Sequence, residues 1–523
     1  MNLVHLLQKY NQPYIKVGVL DRFHHYDLKL GSSFKLYDSN NQLIHEEKKA
    51  NTTWRFKQSS TYGFTSKSVL YITDSYKKEV LERIQRSIPS IKTAIKTVGG
   101  TVLYNEKQIH ENEKYILYSD DPELKQKYKK LVNTELKEFS VKFIEVKENE
   151  STEIEIFDSE YKYNYLTHHS VLIELDKQDA PVQVNHVDFF DEELRKTTTK
   201  NLHLTGNIHI SFNSLNCLDL VNEIPTETYI HRVIFSELGN NMPLEFYKAM
   251  AVVCRCEIVN RIGHHFLDEN YDFHASEDRL YFNPVKYENK LIDQAIQETK
   301  YEVMFYDKNI CQAFFSIVCG GICEDGNKIL DVARPLNYLS KTDGVLTNLP
   351  STEETLANWI KSSPEVYCNI ESFDDLPRQI TIGKKYFRWV ETTTIASIER
   401  QLISDLYEDI GAIVDIIPVK RGDSGRIIEI EVLGTHKNIT IRNEYRIRKL
   451  FSKGVLPSTC FIIEKEYDEN GFLFSLQLYG AGFGHGVGLC KTGATAMAHQ
   501  GSTYKEILNH YYENAEIKPV IEA

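Results

Sequence analysis

The chain has no surplus of basic residues: 61 Lys and Arg stand against 74 Asp and Glu in 523 residues, a formal net charge of −13. Neutralising phosphates needs the opposite balance, so a nucleic-acid partner is not expected. Long apolar runs are missing as well, and no stretch approaches the roughly 18 apolar residues of a membrane span. The opening "MNLVHLLQKYNQPYIKVGVL" offers only "LVHLL" before Lys9, Gln12 and Pro13, which falls short of a signal peptide's apolar centre. Read from the residues alone, the chain is expected to be cytoplasmic. A disulfide framework is not indicated either, because the nine cysteines are odd in number and scattered over a long chain.

What is present is a globular composition, 41% hydrophobic and 26% charged, in a chain long enough for roughly two to four domains. Residues 1–60 alternate like strands in "YIKVGVL" (14–20) and "SSFKLYD" (32–38) and read as a small β unit, separate or part of the main domain. From 66 to 147 the order is strand, helix, strand, strand, helix, strand. "SVLYITD" (68–74) leads into a helix with Val80, Ile84, Ile88, Ile91, Ile95 and Val98 at helical spacing, stopped by Gly99-Gly100. "TVLY" (101–104) and "KYILYSD" (114–120) follow, then a helix from Pro122 to about Glu138 and "SVKFIEV" (140–146). This βαββαβ order predicts a ferredoxin-like insert, and in element order and size it is similar to the SPOR domains that bind peptidoglycan. Residues 148–200 are polar and read as a linker with scattered strands. Residues 201–523 read as one mixed domain, helices first and many antiparallel strands later, so the fold class is α+β.

Three stretches carry candidate chemistry. In "FSELGNNMP" (235–243), Ser236-Glu237 falls between the end of one helix and the Pro243 that begins the next. Helices shadow a carboxylate there on one side only, an environment that suits a general acid, while a plain surface glutamate is the alternative. In "SIVCGGICED" (316–325), Gly320-Gly321 permits a tight turn with exposed N–H groups. Cys319 is open as a nucleophile, as half of a metal site with Cys323, or as a structural thiol. No second CxxC-like pair or His cluster at ligand spacing accompanies it, so no metal is expected. Cys254 and Cys256, two apart on a helix, point to different faces. In "GAGFGHGVGL" (480–489), glycine takes every second position. If the stretch is extended, the glycines line one face and Ala481, Phe483, His485, Val487 and Leu489 the other, with another backbone or a ligand in close approach. The spacing fails G-x-G-x-x-G, so no dinucleotide site is supported.

Three blocks in this order resemble the bacterial sporulation stage II protein D and amidase-enhancer (LytB) family: "IPTETYIHRVIFSELGNNMPLEFYKAMAVVCRCEI" (224–258), "FFSIVCGGICED" (314–325) and "GAGFGHGVGLCKTGATAMA" (480–498). The shorter "YFRW" (386–389) recurs in relatives. The resemblance implies a peptidoglycan lytic transglycosylase or, without catalysis, a cell-wall binder that activates an N-acetylmuramoyl-L-alanine amidase. It implies glycan strands as substrate, a cell-envelope setting and no cofactor. It also implies Glu237 as the catalytic acid and base that yields a 1,6-anhydro sugar without water. By the same resemblance Tyr229, Ser236, Arg255, Gly320, Gly321, His485 and Gly486 are substrate-binding candidates. Met250, Cys323 and Cys490-Lys491 depart from the family's Gln, Thr and Ser-Gln. Some relatives carry a zinc site where this chain reads "YDFHASEDRLYF" (271–282), with only His274 at a ligand-like position, so no zinc is expected there. A metal or redox protein built on the cysteines is the third reading.

Overall fold

The computed structural model describes residues 14–23, 25–59, 64–73, 84, 96–98, 102–104, 107–109, 113–117, 126–127, 129–131, 142–149, 153–191, 196–213, 217–262, 270–275, 289–330, 335–339, 342–344, 350–371, 378–405, 409–452 and 455–520. Helices and antiparallel sheets are both present, the α+β class expected from the sequence. The chain divides into two compact units. The first holds residues 1–232 and 261–286, and the second holds 233–260 and 287–523. Among the described residues, no helix is long and apolar enough to cross a membrane.

The first unit is built on two large sheets. One has seven strands, in the order Phe273–His274, Tyr14–Phe23, Leu218–Pro225, Asn207–Phe212, Ser170–Leu175, Phe34–Asp38 and Leu43–Glu47. The other has six, in the order Asn164–His168, Glu153–Asp158, Thr52–Gln58, His25–Leu30, Val182–Asp191 and Lys196–Leu204. Residues 148–200, read as a linker, therefore supply strands to both. Their polarity belongs to the outward faces of alternating strands: Ile154 and Ile156, then Val171, Ile173 and Leu175, point inward and are buried. The "KTTTK" run lies in the edge strand Lys196–Leu204, paired along Val182–Asp191.

A separate four-stranded antiparallel sheet has the order Lys142–Asn149, Phe64–Thr73, Glu113–Leu117, Lys96–Val98. In chain order these are its fourth, first, third and second strands. Val98, counted above as the end of a helix, belongs to a strand. Val102–Tyr104 instead pairs with Lys107–Ile109 in a small hairpin. The two helices expected in 66–147 fall almost wholly outside the described residues, and so does the test of a ferredoxin-like unit.

In the second unit, the helix Leu244–Arg261 is buried over most of its surface, with Phe246, Tyr247, Met250, Val253, Arg255 and Ile258 all inside. Such a helix lies in a core and not on a surface. Two three-stranded antiparallel sheets follow, Arg388–Thr394/Leu473–Ala481/Phe461–Tyr467 and Ile413–Arg421/Ile427–Gly434/Asn438–Arg442. They share a core of Trp389, Ile398, Leu402, Ile416, Ile430 and Leu476. The strand Leu473–Ala481 leads into the glycine run, and the helix Lys491–His499 follows it. Cys490 caps that helix, its sulfur accepting the Gly493 N–H.

Candidate functional site

Glu237 sits in the last turn of the helix Thr226–Leu238. Gly239, at φ +65°, ends that helix, its N–H donating to Phe235 O at 2.7 Å. Pro243 O then accepts the Phe246 and Tyr247 N–H groups at the start of the next helix. This bend leaves Glu237 half-buried, its side chain 25% exposed, and paired with the ammonium of Lys491, which is only 8% exposed. Lys491 also stands 5.5 Å over the Phe315 ring. Glu237 of the first block and Phe315 of the second thus both meet the Lys491 ammonium of the third. Cys254 lies within electrostatic reach of both charges, and burial first, then Glu237, raises its thiol above the ordinary range. A thiolate nucleophile beside Glu237 is thereby disfavoured.

The glycine run is not an extended strand. Its strand ends at Ala481, and Gly482, Gly484, Gly486 and Gly488 all have positive φ, between +72° and +91°. The loop wraps Arg426, a fully buried guanidinium that donates to Ser424 Oγ (2.9 Å) and to the carbonyls of Cys319 (3.1 Å) and Gly484 (3.4 Å). Buried Glu324 sits alongside, accepting from Ser424 Oγ (2.6 Å) and from the N–H groups of Asp325 and Asp423. Its own N–H donates to Gly486 O at 2.9 Å. Burial raises the Glu324 carboxyl above the usual range, against the pull of Ser424 and Arg426.

His485 is part of the same arrangement. Its Nδ1 accepts the Val487 N–H at 3.0 Å, so that nitrogen is unprotonated. Burial, then the charges of Arg426 and Arg448, push the imidazole down to about 4, against a hydrogen bond to the Phe315 backbone.

The Gly320-Gly321 turn packs on this loop. A Cβ on Gly320 would meet Gly482 N at 2.9 Å. Phe483 N–H donates to Val318 O at 2.7 Å, and Phe315–Ser316 pairs in parallel with Leu489–Cys490. The second and third blocks are therefore neighbours.

The remaining predicted residues spread out. Ser236 is half-buried next to Glu237. Arg255 is buried and donates to Ile296 O, Thr299 Oγ1 and Glu302 O, tying down the end of the helix Lys290–Glu298. Tyr229 belongs to the other unit, its ring 5.5 Å from Phe273. His274 is buried in that unit, and most of "ASEDRLYF" lies outside the described residues.

Cys319 has companions that sequence spacing did not reveal. Cys368 and Cys490, 49 and 171 residues further on, approach it together with Asp343. Lys491, Arg426 and Glu324 were not picked out as site residues. Lys491 was noticed only as a departure from Gln, and Glu324 lay unremarked in the second block. Nothing in "RGDSGRIIEI" (421–430) marks Arg426 as buried. Ser316 Oγ is also buried, with no hydrogen-bond partner among the described residues.

With this geometry established, comparison with known proteins finds two matching families. One, described as Stage II sporulation protein, matches residues 215–306, and a domain of unknown function (DUF8618) matches 347–488. An uncharacterized protein of Brachyspira hyodysenteriae is 25% identical over 370 residues, covering 68% of this chain and 86% of the relative. Stage II sporulation protein D of Bacillus subtilis is 24% identical over 315 residues, and that of Bacillus amyloliquefaciens 23% over 313. Each covers 57% of this chain and 75% of the relative. Residues 215–306 are thus similar to the stage II sporulation protein family, and the chain is similar at modest identity to two stage II sporulation protein D sequences. The first block, with Glu237, lies inside the matched family segment, and the second lies between the two matches.

Proposed function

We propose that the second unit acts on bacterial cell-wall peptidoglycan in a sporulation-like setting, cleaving glycan strands by lytic transglycosylation with Glu237 as the catalytic group. The observation that carries this reading is that residues of the first two blocks, Glu237 and Phe315, both meet the ammonium of Lys491 from the third, far apart in the chain. In the reaction, protonated Glu237 gives its proton to the glycosidic oxygen as the C1–O bond breaks. An oxocarbenium-like sugar forms, and the Glu237 carboxylate then takes the C6 hydroxyl proton while that oxygen closes on C1. One carboxyl group suffices, whereas hydrolysis of this type uses a second at a set separation. The Gly320-Gly321 backbone is not a donor we assign to the sugar, since both residues are buried and the Gly321 N–H donates to Cys319 Sγ at 3.3 Å.

One observation favours a second reading. Glu237 is paired with Lys491, and a carboxylate held by an ammonium serves the second half of the reaction but not the first. A protein that keeps the fold and activates an amidase without cleaving glycan has no need to free Glu237. The test is purified chain on peptide-free glycan strands, with anhydro-ended products sought by mass spectrometry. The enzyme reading expects such products and a loss of roughly 10²-fold or more in Glu237→Gln. Amidase stimulation that survives Glu237→Gln, without anhydro products from the wild type, would leave the activator reading alone.

A further inference from the structure

We propose that Cys319, Cys368, Cys490 and Asp343 form a structural binding site for a single thiophilic divalent cation, Zn²⁺ by the chemistry of its donors. The inference is independent of what the Glu237 site does.

One donor atom from each residue lies within 4.8 Å of the other three, and all four residues are buried. The Cys319 and Cys368 sulfurs are 3.8 Å apart. That is far beyond the roughly 2.05 Å of a disulfide. It equals the edge of a tetrahedron about a metal with bonds of about 2.3 Å, which is about 3.8 Å. Three sulfurs and one carboxylate oxygen make the four-coordinate donor set of a closed structural site, and soft donors select Zn²⁺ over Mg²⁺ or Ca²⁺.

Asp343 is fully buried, and its carboxylate accepts the Cys368 N–H at 2.6 Å and the Tyr511 hydroxyl. Among the described residues it has no cationic partner. A buried carboxylate without a counter-charge is strongly unfavourable, and a divalent cation on its free lone pairs removes that cost. The sulfurs are prepared for negative charge in the same way. Cys490 Sγ accepts N–H groups from Cys319 (3.3 Å) and Gly493 (3.4 Å) at the N-terminus of the nine-residue helix Lys491–His499. Cys319 Sγ accepts the Gly321 N–H at 3.3 Å. Backbone donors directed at sulfur are the outer-shell support that metal-bound thiolates use.

The four ligands come from four separate segments. An ion there joins the Gly320-Gly321 turn to the end of the glycine run and fixes Cys490, whose next residue pairs with Glu237. Binding releases the thiol protons and ties folding to metal, since the unfolded chain has no preformed site.

The test uses the full chain, expressed with zinc and washed free of loose metal. Elemental analysis is expected to find about one zinc per chain, and cobalt substitution is expected to give thiolate-to-cobalt charge-transfer bands with the intense visible bands of a tetrahedral ion. A chelator should lower the melting temperature and zinc restore it. Cys368→Ser and Asp343→Asn should each lose most of the metal. Cys460→Ser should keep it, because the Cys460 sulfur instead donates to Ser424 O at 3.3 Å. Wild-type chain that holds neither zinc nor cobalt would overturn the proposal even if every variant failed to fold. So would a Cys319–Cys368 disulfide found by non-reducing peptide mapping.

Discussion

Gly486 lies directly on the Arg426 guanidinium: a Cβ added to it would stand 2.3 Å from Arg426 Cζ. Neither side can yield, because Arg426 is fully buried and held by three acceptors. Gly486 also has φ +72°, where a side chain costs roughly 1–2 kcal/mol. With overpacking of about 1–3 kcal/mol added, Gly486→Ala should lose about 2–5 kcal/mol in denaturant unfolding. Gly484 in the same run has φ +91° but only Ser316 Cβ, at 3.7 Å, in the way. Gly484→Ala should therefore lose only the backbone part. Equal losses in the two variants would show that the loop is not moulded on Arg426.

Arg426 should in turn be costly to remove. Arg426→Met keeps length and apolar bulk but withdraws the guanidinium that donates to Ser424 Oγ and to the Cys319 carbonyl, and each buried acceptor left unpaired costs about 1–3 kcal/mol. Adding Glu324→Gln should recover part of that loss, since the stranded charge is gone. Strict additivity in the double variant would mean that the two residues act separately.

His485 gives the protein an acid-sensitive joint. Its ordinary value is 6.5, and in the fold it is pushed down to about 4 by burial and by Arg426 and Arg448. Between those values the unfolded chain binds the proton and the folded chain does not, so stability rises with pH across that window. The contribution is complete above about pH 6.5, is lost as pH falls through the window, and amounts to at most about 3 kcal/mol. Unfolding of wild type and His485→Asn, compared at pH 7, 5 and 4, should show the wild type falling more steeply. Parallel curves would mean that the imidazole titrates normally in the folded state.

The alternating polarity of the strands and the helix boundary at Pro243 were legible in the sequence because they are local properties. Residues 148–200 misled because strands at sheet edges and with one solvated face look polar in composition. Their inward residues, such as Ile154, Ile156 and Ile173, carry the signal at every second position only. Glu237 was legible by its junction between two helices and by resemblance. Its partner was not, because a pairing across 254 residues leaves no local trace. The glycine run was read as a close approach by another backbone or a ligand, and another backbone is there, since Gly482 faces Cys319 O and Gly488 faces Phe314 O. What the run did not reveal is the side chain at Gly486, Arg426, a residue that, by its type, is expected at the surface. The meeting of Cys319, Cys368 and Cys490 was hidden for a similar reason: ligand spacing shows along the chain only where ligands are close in sequence, and these three meet only in the fold.

Lys491 decides how the Glu237 site can work. It stands where the stage II protein D resemblance has glutamine, and its ammonium is buried against Glu237. Lys491→Gln removes the counter-charge but keeps an amide that can donate to the carboxylate, and so breaks the ion pair without emptying the site. If glycan cleavage is limited by this pair, turnover should rise about tenfold, the equivalent of about 1.4 kcal/mol of ion pairing removed from the ground state. Initial rates of anhydro-product formation from pH 4 to 8 in both proteins measure this directly. If Lys491→Gln instead loses as much activity as Glu237→Gln, the ammonium is itself part of the catalytic machinery. The single-carboxyl scheme would then have to give Lys491 the task of holding Glu237 ionised for the ring-closing step.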